Sequence, residues 1–345
     1  MTLQLARAFL FVSLLLPLAA SSHHSRAAFF DMSRTVELEG EITRVQWRHP
    51  HVRYWIQADE AYGGAVWEME TTPPSILERY GISQDVLSAG TRVRVAGSPS
   101  KVAENVMEVS HVLLPSGQEV LLHTGLLPRW TQDTIERELQ PLDEAAVRAA
   151  EASANGIFRV WSRQAAPTVR RLFVDSYPLT EAARAAQDAW NPTTEIDTGC
   201  TPKGMPRTMA NNWPMEFVDE GDQLRMKLEE FDIVRTVHLS GGTPEPGPWG
   251  YSVGRWEDGD LVVETSMIAL PDFDRGVPLT TDAEITERFS LSDDERELGY
   301  ELTVIDPATF TEPVTLTSSW VWRPGEIVKP YNCIDTPGSW SDIDR

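Results

Sequence analysis

The sequence predicts a mainly β fold in two units: an OB-like N-terminal barrel and a C-terminal antiparallel meander barrel, lipocalin-like in kind, joined by a helical linker. Three observations predict it. Two stretches, 35–123 and 215–332, consist of short runs of strand-forming residues, many alternating apolar and polar, broken by Gly, Asn, Asp and Pro turns. The stretch between them is Ala-rich and carries helix caps instead. At 345 residues, the chain exceeds what one hydrophobic core usually serves.

Taken in order, the chain opens with Arg7 followed by an apolar run from Ala8 to Ala20 that ends in small residues. This reads as a cleavable signal peptide, because a membrane span needs about 20 apolar residues and this run is shorter. Cleavage after Ser22 makes His23 the new N-terminus, so residues 1–22 are the expected signal and the mature protein is expected to be periplasmic or secreted. No later segment is apolar enough to span a membrane.

The OB-like unit is placed at 23–125. Strands are expected at 36–47, with a bend at Gly40, then at 52–58 and 65–70. A helical turn at 73–80 is stopped by Gly81, and strands follow at 91–96, 106–114 and 119–123. Three strands, a helix and two or three more strands is the order of a small OB-like barrel. Residues 126–198 read as linker, with helices at 142–154 and 180–190, the second opened by Thr180 as its cap. The last unit, 199–345, shows eight strand patterns from 215–218 to 316–322, with hairpin chemistry at Glu220-Gly221-Asp222 and Asp258-Gly259-Asp260.

Charge and cysteines narrow the partners. A net charge of −22 leaves no basic stripe for a phosphate backbone, so nucleic acid is excluded as a partner. Neither a dinucleotide fingerprint nor a P-loop occurs, which argues against a nucleotide cofactor. Cys200 and Cys333 are the only cysteines, and in an exported chain a disulfide is the leading reading. Two buried free thiols are the alternative.

Candidate chemistry falls in two places. Of the 7 histidines, only His238 lies outside the first unit. With His23 as the N-terminus, its α-amine and imidazole can chelate one ion, and His24, His49 and His51 are further candidate ligands. A nitrogen set of this kind suits Cu(II). The alternative is solvated surface histidines. In the second unit, Glu264 and Glu287 sit among apolar neighbours and are the candidate acid and base of a hydrolase or lyase. The same residues also suit a Glu–Arg network with Arg235, Arg255 and Arg288. Trp213, Trp249, Trp256, Trp320 and Trp322 could line a site for a small apolar ligand or simply fill a core. Trp320 and Trp322 must share one sheet face. The leading expectation is a binding or accessory protein, for copper, for a small apolar ligand or for both. A hydrolase or lyase and an envelope interaction module are the rival readings.

Two sets of motifs resemble families of uncharacterised secreted bacterial proteins. The first is His23-His24-Ser25 with Gly40-Glu41-Ile42 and Trp47-Arg48-His49-Pro50-His51-Val52. The second runs from Cys200-Thr201-Pro202-Lys203-Gly204-Met205-Pro206-Arg207 through Gly254-Arg255-Trp256, Leu261-Val262-Val263-Glu264-Thr265, Glu287-Arg288-Phe289 and Asp306-Pro307 to Tyr331-Asn332-Cys333. The resemblance implies compartment and architecture and no established activity. This chain departs from the second family's histidine positions, with Gly250-Tyr251-Ser252, Thr243-Pro244-Glu245-Pro246 and Pro278-Leu279-Thr280 in their place.

Overall fold

The computed structural model describes residues 29–123, 125–135, 139–163, 172–191 and 200–334. The expected signal peptide, with His23 and His24, lies outside them. The first unit is built from β1 (Val36–Gln46), β2 (Arg53–Ala58), β3 (Val66–Glu70), β4 (Arg92–Pro99) and β5 (Val106–Leu113), extended by β6 (Glu119–Leu121) and β7 (Thr134–Ile135). The order β3-β2-β1-β4-β5, together with a parallel β3–β5 pairing, closes the first five strands into the OB-like barrel. Helix α1 (Pro74–Arg79) fills the gap between β3 and β4. Gly40 is the expected bend: a Cβ there would lie 2.2 Å from the Gln57 carbonyl oxygen, so only glycine lets β1 and β2 approach this closely. Inward residues such as Leu38, Ile42, Tyr54, Ile56, Met69, Val93 and Val95 make the core.

The second unit is a closed nine-stranded barrel in the order β10-β11-β12-β13-β14-β16-β17-β18-β8. Its strands are β8 (Val160–Ser162), β10 (Met215–Asp219), β11 (Gln223–Leu228), β12 (Ile233–His238), β13 (Tyr251–Glu257), β14 (Asp260–Ser266), β16 (Glu284–Leu291), β17 (Glu297–Ile305) and β18 (Val314–Trp322). Short strands β9 (Met205–Pro206) and β15 (Pro271–Asp272) pair in parallel beside it.

Two features differ from the sequence expectation. The 126–198 stretch does more than link: it carries α2 (Glu144–Ala152) and α3 (Glu181–Ala189) but also supplies β7 to the first sheet and β8 to the second. β8 pairs with β10 on one side and β18 on the other, so the barrel closes through it. The meander also has one interruption. β12 and β13 run parallel, because the connection at 239–250, with its glycines and prolines, carries the chain back across the barrel end instead of turning as a hairpin.

The predicted disulfide joins Cys200 to Cys333, with Cα atoms 5.6 Å apart. It brings together the two ends of the second unit and anchors the segment that meets the first. There Tyr331 packs with Ile76, Tyr80 and Trp213 in an apolar cluster between the barrels. Beside it Arg79 makes a two-pronged contact with Glu229 at 2.8 and 2.5 Å and also donates to Glu326 at 2.9 Å. Arg323 donates to the other Glu326 oxygen at 2.6 Å.

Candidate functional site

The second barrel presents two regions with chemistry. The first is its lumen. Strand periodicity of two turns alternate side chains inward, and along β12, β13, β14, β16 and β17 this places Arg235, Ser252, Thr265, Glu287 and Tyr300 in one polar layer. Arg235 grips Glu287 with two hydrogen bonds of 3.0 and 2.5 Å, and the Tyr300 hydroxyl donates to Glu287 at 2.8 Å. Burial and the adjacent Glu287 charge push the Tyr300 hydroxyl well above the usual tyrosine range. Ser252 and Thr265 hydroxyls lie 2.8 Å apart beneath Arg235. Deeper apolar layers, Phe217 against Phe289 and Tyr300 against Trp320, fill the rest.

The second region is a cleft of about 370 Å³ outside the barrel wall. One side is α3, with Ala186 and Ala189, continuing to Trp190. The other is the excursion between β14 and β16, which brings Phe273, Val277, Pro278 and Leu279. Gly276 makes this closure sterically feasible: its φ is +73° and a Cβ would sit 2.3 Å from the Trp190 ring. At the polar end Arg207 donates to Asp272 at 3.2 Å. Burial raises the Asp272 carboxyl even against the nearby Arg207 charge. The Trp190 indole N–H is buried and meets no acceptor among the described residues.

Set against these, the sequence-predicted residues scatter. Glu264 and Glu287 are not a pair. They stand on adjacent strands, in register Val263 with Glu287 and Glu264 with Thr286, so period two points them to opposite faces. Glu287 is fully buried against Arg235, whereas the Glu264 side chain is 59% exposed and bound to Arg255 at 2.6 Å on the surface. Trp320 and Trp322 do share a face: Trp320 is in the core and Trp322 is half-buried at the mouth, with Arg159 over its ring.

The metal candidates divide likewise. His23 and His24 lie outside the described residues. His49 is 6% exposed, with its ring centroid 3.8 Å from that of Tyr331 in the inter-barrel cluster. Its burial pulls the imidazole down to about 4, so the ring is neutral at physiological pH. His51 turns its Nδ1 to the Thr71 carbonyl at 3.0 Å and toward Glu70 at 3.6 Å. Among the described residues no three His, Cys, Asp or Glu side chains gather as a metal site. No helix of the described residues is long and apolar enough to cross a membrane.

Sequence reasoning overlooks Arg163, Arg207, Asp272 and Trp190. Only Arg163 left a signal: Trp161 and Arg163 share one face of the short Val160-Trp161-Ser162-Arg163 pattern, so an inward Trp161 implies an inward Arg163.

Fold and sites together define a two-barrel protein with a ligand-sized cleft on its second barrel. A model described as a family of unknown function (DUF6152) matches residues 12–107, which covers the first barrel's first four strands and reaches into β5. Neither a curated protein nor a solved structure matches the chain.

Proposed function

We propose that this is a periplasmic or secreted binding protein that takes a small, partly apolar ligand in the cleft between α3 and the 271–279 excursion. The carrying observation is the cleft itself. Its volume of about 370 Å³ falls in the range of small-molecule sites, and its walls join aliphatic and aromatic side chains to one polar end. The Trp190 N–H, unpaired among the described residues, offers a donor there, so the complementary ligand has an apolar body and an acceptor group. The signal-like N-terminus and the disulfide support the compartment.

The proposal assigns no role to copper, since His49 is enclosed and His51 is engaged with backbone. It also assigns none to acid–base catalysis, because Glu287 and Glu264 are each held by arginine on opposite faces.

The test is a titration with 8-anilinonaphthalene-1-sulfonate, an aromatic body with one anionic end. Saturable, single-site fluorescence enhancement is expected. Ala186→Trp, placed on an exposed helix position, should fill the cleft and raise the Kd at least tenfold. Equal binding by the wild type and this variant, or no saturation, would overturn the reading.

A further inference from the structure

Among the described residues, the buried Arg163 and Arg235 guanidiniums of the second barrel lie near the Glu287 carboxylate or the aromatic core beside it. Glu287 is fully occupied by Arg235 and Tyr300. Arg163 is 7% exposed and has no carboxylate among the described residues. One of its NH groups donates to the Met209 carbonyl at 3.2 Å, and its guanidinium lies 4.7 Å from the Trp320 ring centre. Burial draws its pKa down to about 10, which leaves it cationic at neutral pH.

The unsatisfied groups around it share one sign. Arg163 Nε, Arg235 Nε and Trp320 Nε1 are buried donors with no acceptor among the described residues. Met209 ties the two guanidiniums together, touching Arg163 through its carbonyl and Arg235 through its sulfur at 3.1 Å, and Trp320 lies against Arg163. Buried donors require acceptors, and water could serve them, but water cannot balance a buried charge. A group that supplies both acceptor and charge is an anion.

We propose that the barrel lumen holds a compact monovalent anion, seated against the Arg163 guanidinium and reached by the Trp320 N–H. Phe217, Phe289, Tyr300 and Trp320 are buried and pack on one another, so a compact occupant of formate or chloride size is the one proposed. This site is separate from the cleft, and either assignment can fail without the other.

The experiment is thermal unfolding of the full mature protein, dialysed into sodium gluconate and titrated with sodium formate or sodium chloride at constant ionic strength. Gluconate, a six-carbon anion, serves as the bulky reference. A saturable stabilisation is expected, raising the folded-to-unfolded ratio about a hundredfold at a hundred times the Kd. The salt with the lower Kd tells an oxyanion site from a halide site. Arg163→Met should abolish the saturable effect of both. If that variant does not fold, Trp320→Phe, which keeps most of the core volume and removes one donor, should raise the Kd at least threefold. No saturable effect in the wild type, or an unchanged Kd in the variant that folds, would overturn the site.

Discussion

The interface between the barrels and the lumen of the second barrel solve the same problem with different completeness. Both bury arginines. At the interface, Arg79 and Arg323 face Glu229 and Glu326, and Glu229 also accepts the Lys329 backbone N–H at 2.9 Å. Charge is matched, and each arginine meets a carboxylate. In the lumen, among the described residues, Arg235 holds Glu287 while Arg163 meets no carboxylate, and several donors go without acceptors. A matched network has the signature of architecture, and a mismatched one has the signature of a site. The OB-like unit also buries an arginine, Arg53, and supplies it with Glu68 and Glu70.

The largest test of the interface removes its anchor. The disulfide closes a loop spanning 133 residues in sequence and holds Tyr331 against the first barrel. Replacing both cysteines with serine should cost about 5 kcal/mol in the chain-entropy account, read by urea unfolding. A loss below about 1 kcal/mol would mean the Tyr331 segment is held without the covalent tie.

A smaller but more discriminating pair compares the two networks directly. Arg79→Met strands Glu229, and Glu287→Gln strands Arg235. Each should cost about 3–5 kcal/mol, because an uncompensated buried charge remains. Their unfolding profiles should differ. Loss of Arg79 should split unfolding into two transitions, one per barrel, whereas Glu287→Gln should lower the stability of the second barrel. Arg235→Leu combined with Glu287→Leu should recover most of the loss, since removing both charges removes the penalty. No recovery would show that the lumen depends on this ion pair for its packing.

The contrast between legible and hidden parts of the sequence follows the same physics. Strand alternation reports burial locally, so Leu224, Met226 and Leu228 could be read as one inward face. The cysteine pairing was legible because compartment and count left few options. The three-residue β8 follows an Ala-rich tract, where alternation places Arg163 with Trp161 but is too short to announce a strand. The partner of Glu287 is Arg235, 52 residues away, not its chain neighbour Arg288, which reaches out to Asp260 and Glu257. The cleft brings α3 to a loop some 80 residues later, a contact no local pattern encodes. Histidines drew attention by composition, yet composition says nothing about enclosure, and the structure encloses His49.

The smallest effect sharpens the interface half of the comparison through pH. The His49 imidazole is stacked on Tyr331, its Nδ1 is unpaired, and Glu78, Asp232, His51 and Arg79 are the charged or titratable neighbours that act on it. Desolvation dominates and brings its folded pKa to about 4 from an ordinary 6.5. The unfolded chain therefore takes up a proton first as pH falls. The stabilising contribution is complete above pH 6.5, shrinks between 6.5 and about 4, and is gone below that. The span corresponds to about 3 kcal/mol. His49→Phe keeps a ring against Tyr331 and removes the proton, so its stability should vary less with pH across that window. Parallel curves for wild type and variant would place the acid sensitivity in the interface carboxylates instead.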